Sequence, residues 1–456
     1  MRGLWSTLAL VLVLAGLGAY IYFVESDKPA PGLEPNEKVF AVESGRIQEV
    51  RVTAGGETTV LVKKDAGWQM TEPTATEADP TEASSLVTNI ASLETSRVIE
   101  ENASDLAPYG LAEPRIKVAF KAEGDVSGEV HLGDKTPMQG DLYAMKPGEK
   151  KVFLVSSYIE TTFDKKPFDL RDKRVVKFER DKVDSLDLTR GAETMRLARS
   201  GSDWTVEQPA KGRADYSTVE GLLTRLSTAG MASIVEDTAA DLAKYGLDRP
   251  TMRIAAGAGS SQVVLEIGRS EGAQPYARDV ARSMVFTLDT TLAEDLTKPF
   301  DDYRKKELFD ARPFSMDRVR ITRATGGPAR TWTFEKVKDG DTEKWRVTPE
   351  GGQAADADRA KVDDFLNKLT DLRVTTFVPP STSTGLGAPI LNAAVSYDGG
   401  KFERVRVGRS GQKHYGNREG EQVTGEVDQA VVDAAFQALD AAVARPAATT
   451  EATAKP

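Results

Sequence analysis

The chain has 456 residues, more than a single hydrophobic core usually holds and enough for about three domains. Its 40% hydrophobic and 29% charged residues exclude a polytopic membrane protein. The formal net charge of −10, with no Lys/Arg-rich block, argues against nucleic acid as partner, because phosphate binding needs a basic surface.

Cysteine is absent, which removes thiol nucleophiles, disulfides, thiolate metal sites and a lipid-modified cysteine together.

From the N-terminus, Leu8 to Val24 contains no polar residue beyond Tyr20 and Tyr22, and Leu4 to Val24 makes 21 residues, with Trp5 near one end and Tyr20, Tyr22 and Phe23 near the other. At about 1.5 Å per residue such a helix matches a hydrocarbon core of about 30 Å, and its aromatics sit where interfacial belts form. We expect residues 1–27 to be an uncleaved membrane anchor contacting the bilayer through residues 4–24. A cleaved signal peptide is the competing reading, but the run exceeds the usual apolar core of one and no clean A-x-A site follows. Arg2 before the run, against Glu25 and Asp27 after it, predicts a cytoplasmic N-terminus and a periplasmic or extracellular body. Residues 28–37, "KPAPGLEPNE", read as a stiff Pro-rich linker.

Beyond the linker the chain repeats itself. "DLAPYGLAEP" (105–114) returns as "DLAKYGLDRP" (241–250), with seven of ten positions identical. A catalytic motif is normally needed once, so a second copy points to structure. Other landmarks keep the same period. "GWQMTEP", "DWTVEQP" and "KWRVTPE" place Trp68, Trp204 and Trp345 at intervals of 136 and 141, while "GLAEP", "GLDRP" and "GLGAP" place Gly110, Gly246 and Gly385 at 136 and 139. Between each Trp and each Gly-Leu, a helical pattern opens on Asp79, Asp215 or Asp358, good N-caps. "KPFDLRDKRV" closes the first unit and "KPFDDYRKKEL" the second; the third ends on an amphipathic helix, as capping units often do.

The predicted units are 38–166, 167–299 and 300–445, followed by a disordered Ala/Thr/Pro tail over 446–456. Within the first, "IQEVRVTA", "TTVLVKK" and "GWQMTE" precede the helix; "RIKVAFKA", "GEVHLGD", "LYAMK" and "KVFLVSS" follow it. Alternation and short turns predict an α+β fold: three tandem repeats, each a mainly antiparallel sheet with one main helix. "DLAPYGL" reads as a helical turn ended by a glycine at positive φ, with a proline launching the next strand.

The anchor, the W-x-x-x-x-P strand, the "YGL-x-x-P" turn and the "FDLRDK" join together resemble the DUF4340 family of bacterial envelope proteins over nearly the whole chain beyond the anchor. The resemblance implies an accessory role at the envelope, beside ABC-type permeases or gliding-like auxiliary components. It transfers no catalytic residues.

Direct evidence of chemistry is sparse. His131 lies in the "GEVHLGD" strand and His414 in a "GQKHYGN" loop, neither with a visible partner constellation. "GAGSSQ" (257–262) and "GRSGQ" (408–412) lack the Lys-Ser/Thr ending of a phosphate loop and read as hairpin turns; "DGD" (339–341) lacks calcium-loop spacing. The three tryptophans could stack carbohydrate, but equivalent places in a repeated strand favour core positions. No catalytic, cofactor or metal residue is assigned. The expected function is a non-enzymatic, membrane-anchored scaffold or docking protein of an envelope transport complex; the alternative is an envelope ligand-binding or carbohydrate-processing protein.

Overall fold

The computed structural model of the protein describes residues 36–444, other than 138, 139, 326 and 341. The anchor expected over 4–24 lies outside them, as do most of the linker and the tail. No helix among the described residues is long and apolar enough to cross a membrane.

Three nine-stranded antiparallel sheets follow one another along the chain. In the first, the spatial order runs from Thr76–Glu77 through Gly67–Glu72, Glu57–Lys64 and Ile47–Ala54 to Ile116–Ala122. It continues through Val126–Lys135, Leu142–Met145 and Val152–Val155 to Arg97–Glu100. By rank along the chain this order is 4-3-2-1-6-7-8-9-5, and the second and third sheets repeat it strand for strand. The first four strands form a meander. A helix then carries the chain to the opposite edge for the fifth strand, and a second meander starts beside the first strand. The two-residue fourth strand and the fifth strand lie beyond the elements expected from sequence, so the expectation of three repeated, mainly antiparallel sheets holds with two more strands per sheet, and the described residues are mostly β with few helices.

The helices Pro80–Ala91, Tyr216–Thr228 and Arg359–Thr370 are set by the same local rules. Asp79, Asp215 and Asp358 each accept a backbone N–H of the first turn: Thr81 at 2.8 Å, Thr218 at 2.7 Å and Ala360 at 3.0 Å. The cap satisfies donors the helix leaves unpaired. Each then buries the fourth, seventh, eighth and eleventh residue after its cap. These are Ala83, Leu86, Val87 and Ile90; Val219, Leu222, Leu223 and Leu226; and Val362, Phe365, Leu366 and Leu369. That spacing puts all four on one helical face. The opposing sheet face comes from strict alternation, as in Ile116, Val118, Phe120 and Ala122. Burying one such aliphatic side chain contributes about 1.5–3 kcal/mol.

The chain divides into two compact units at Lys173/Arg174. The first holds one nine-stranded sheet and a small two-stranded one, Glu37–Lys38 with Glu94–Thr95, and the second holds two nine-stranded sheets. In the first unit the end of the join folds back on its own sheet: Asp79 N–H donates to the Leu170 carbonyl at 2.9 Å and Asp172 N–H to that of Glu77 at 3.0 Å. In the second unit the "FDDYRKKEL" join is pinned on both sides. Asp215 N–H donates to the Tyr303 carbonyl and Lys305 N–H to that of Arg213, on the second sheet's side; Val374 N–H donates to the Lys306 carbonyl and Leu308 N–H to that of Leu372, on the third's. The third sheet ends on the 15-residue helix Gln429–Val443, capped by Asp428.

Candidate functional site

Each recurrent sequence landmark has a definite place. Gly110, Gly246 and Gly385 have φ of 66°, 68° and 68°; the first two end short 3-10 turns at Ala107–Tyr109 and Ala243–Tyr245. The turn lies against a second glycine that sequence reading missed. A Cβ on Gly133 would overlap the Tyr109 carbonyl, one on Gly268 the Tyr245 carbonyl, and one on Gly408 the Thr384 carbonyl. Each repeat thus packs a turn glycine against a strand glycine, and Gly408 belongs to the strand Lys401–Ser410, the hairpin turn falling after it. In the first two repeats, the tyrosine of the turn also donates its hydroxyl to a fifth-strand carboxylate: Tyr109 to Glu100 at 2.9 Å and Tyr245 to Glu236 at 2.5 Å.

Trp68, Trp204 and Trp345 all sit on the third strand of their sheets, directly across from a basic residue: Lys63, Arg199 and Lys336. Trp204 and Trp345 are buried, whereas Trp68 is half-buried against the first core. Their surroundings differ. In the second repeat the indole N–H of Trp204 donates to Glu220 at 2.8 Å, and Arg199 both pairs with Glu220 at 3.1 Å and stacks over the indole at 5.6 Å. The triad closes on itself. Glu220 is the fifth residue after the helix cap; the same position is Ser84 in the first repeat and Asp363 in the third.

In the third repeat the triad is open. Asp363, one methylene shorter, pairs with Arg359 at 3.7 Å, and the indole N–H of Trp345 has no acceptor among the described residues. Lys336 lies over the indole at 5.4 Å and donates to the Phe314 carbonyl at 3.2 Å. A cavity of about 420 Å³ occupies this region, lined by Lys336, Trp345 and Asp363 together with Phe314, Glu343 and Asn367. Phe314, 76% exposed, stands where the other repeats have Gly45 and Asp181. With Lys336 over its ring and only 4% exposed, Trp345 is no open stacking platform; Phe314 is.

A second cavity, of about 520 Å³, lies in the second repeat between the strand Ser261–Glu271 and the helix Thr290–Asp295. Its wall is mainly apolar, and its cation, Arg190, is satisfied by the Leu296 and Lys298 carbonyls at 2.6 and 3.0 Å. In the third repeat the matching arginine, Arg323, instead pairs with Asp440 of the terminal helix at 2.8 Å and stacks on Phe436.

The second and third sheets are joined by ionic contacts. Arg213 pairs with Glu421 at 2.5 Å and Asp310 at 2.6 Å; Lys305 and Arg418 also reach Asp310, and Arg418 pairs with Glu403 at 3.1 Å. Glu403 in turn accepts the N–H groups of Asp310 and Ala311. Burial opposes ionisation of Asp310, but Arg213, Lys305 and Arg418 outweigh it and hold the carboxyl well below its usual range.

The histidines stand apart from the cavity. His131 contacts Glu129 of its own strand at 2.6 Å. His414 corrects the loop expectation: it belongs to the strand Lys413–Arg418, is 5% exposed, and its Nδ1 has no partner among the described residues. Burial lowers its pKa. No cluster of three or more potential metal ligands occurs among the described residues.

The protein is mainly antiparallel β, three repeat-like nine-stranded sheets whose recurring residues close structural contacts, with an open aromatic-polar cavity in the third copy. The chain belongs to the DUF4340 family, described as a domain of unknown function: the family model matches residues 68–216 and 204–389. The two matches begin on the equivalent Trp68 and Trp204. No curated protein and no solved structure matches the chain.

Proposed function

We propose that the protein is a membrane-anchored, extracytoplasmic scaffold or docking protein, accessory to an ABC-type transport or gliding-like envelope complex. Its N-terminus is cytoplasmic and its body periplasmic or extracellular. The observation that carries this reading is the internal use of the repeated residues. The tyrosine–carboxylate bonds, paired glycines and N-caps all serve structure within their own repeat. A scaffold requires such stiffness and no reacting constellation. The test is affinity capture of the tagged full chain from detergent-solubilised membranes. The expected result is co-recovery of a permease or auxiliary envelope component; recovery of none removes the scaffold reading.

A second reading, ligand binding, is favoured by the cavity at Trp345 in the third repeat, whose lining adds Phe314, Glu343 and Asn367, residue types the other repeats lack at those places, to the recurring Trp345 and Lys336.

A further inference from the structure

We infer that the third-repeat cavity binds a carboxylate from outside the chain, carried on an N-acylated amino-acid unit. This rests on the ligand-binding reading of the cavity and not on the scaffold reading.

The second repeat supplies the template. There a carboxylate, Glu220, sits between an indole N–H and a guanidinium, at 2.8 and 3.1 Å. Bonds of this kind, with one partner ionised, are about twice as strong as neutral ones. The third repeat keeps both donors in the same register, as Trp345 and Lys336. It lacks the internal acceptor, because Asp363 is shorter and is drawn to Arg359. Trp345 and Lys336 both line the cavity, where a carboxylate from outside can take the place that Glu220 holds in the second repeat.

The rest of the wall indicates what carries that carboxylate. Glu343 precedes Trp345 by two residues on one strand and therefore shares its face. It forms no ion pair among the described residues, which suits it to accept an amide N–H from the ligand. Asn367 donates to the Asp363 carbonyl at 2.8 Å, the i to i−4 bond of its own helix, leaving its side-chain oxygen as an acceptor. Phe314 offers an exposed ring for an apolar stem. Anion donors, an amide acceptor and an aromatic wall together fit an acylated amino acid, either a chain terminus or an acidic side chain.

The test is NMR titration of the full chain, followed at the tryptophan indole N–H resonances, with Trp345 assigned through Trp345→Phe. Acetyl-leucine represents a chain terminus and acetyl-glutamate amide an internal acidic side chain; acetyl-leucine amide and acetyl-glutamine amide are their neutral counterparts. The expected result is a saturable shift of the Trp345 resonance by at least one acid and by neither neutral amide, with Trp204 unmoved. Which acid acts identifies the source. Lys336→Gln weakens the response about tenfold, as loss of a charge-assisted bond predicts. Asp363→Glu restores the second repeat's internal carboxylate, so it abolishes the response while keeping or raising the melting temperature. If acids and amides shift Trp345 equally, the ligand-binding reading stands and the carboxylate inference falls. If no probe shifts it at millimolar concentration, both fall. An undiminished response in Asp363→Glu also overturns the inference.

Discussion

His414 shows how much a single position depends on its surroundings. Charging this imidazole in the folded state means placing a cation where Nδ1 has no partner, so burial depresses its folded pKa below 6.5. Above 6.5 neither state binds the proton. As pH falls from there towards the folded value, the unfolded chain takes up a proton that the folded chain refuses, and stability is lost. Denaturant titrations between pH 5 and 8 should therefore show stability falling as pH drops below 6.5. His414→Phe should flatten that slope; an unchanged slope would assign it to other groups. Trp204 makes a complementary case. Glu220→Ala deprives both its indole and Arg199 of their acceptor, and should cost about 1–3 kcal/mol in chemical denaturation. The matching Asp363→Ala should cost less, because Trp345 does not depend on Asp363.

At the level of elements, the helices were the most legible part. An aspartate cap followed by apolar residues at fixed offsets needs only local information, and Asp79, Asp215 and Asp358 all act as read. The fifth strands, Arg97–Glu100, Met231–Glu236 and Val374–Val378, were not legible. Each is an edge strand with few buried residues, so it lacks the clean alternation that marks a strand. His414 was misplaced for a related reason: "GQKHYGN" carries two glycines, yet the second, Gly416, is a strand residue packed under Leu308. The ionic contacts around Asp310 could not be read at all, since Arg213, Asp310 and Arg418 lie far apart in sequence and meet only through the fold. They yield a prediction at this scale. Asp310→Asn leaves three cations facing one neutral amide, and should lower the stability of the 174–444 unit by about 2–3 kcal/mol, the buried-pair cost discounted for partial exposure. Because the Asp310 pKa is lowered, that contribution is present above 3.8 and lost as pH falls below it. Hydrogen exchange should show reduced protection in that unit and none of the change in residues 36–173; an equal change in both would contradict the assignment.

For the whole molecule, the repeat was legible because three kinds of landmark kept one period, and the shared strand order gives that period its physical content. The cavity was not legible. It arises from an absence, the missing methylene between Asp363 and Glu220, and from Phe314 standing where Gly45 and Asp181 stand elsewhere. Neither change disturbs the pattern that identifies the repeat. The strand glycines escaped notice for the opposite reason: Gly133, Gly268 and Gly408 do recur, but an isolated glycine in a strand signals close packing without naming the partner.

Those three glycines provide the most direct test that the recurring residues are structural. Their backbone has no need of glycine, so alanine there would ordinarily be neutral or slightly stabilising. The facing carbonyl reverses the sign, and overpacking costs about 1–3 kcal/mol. Calorimetry of Gly133→Ala, Gly268→Ala and Gly408→Ala in the full chain is therefore the decisive measurement. A comparable loss of stability is expected in all three, with Gly133→Ala moving the transition of the first unit and the other two moving that of the second. Unchanged melting in the three variants would contradict it.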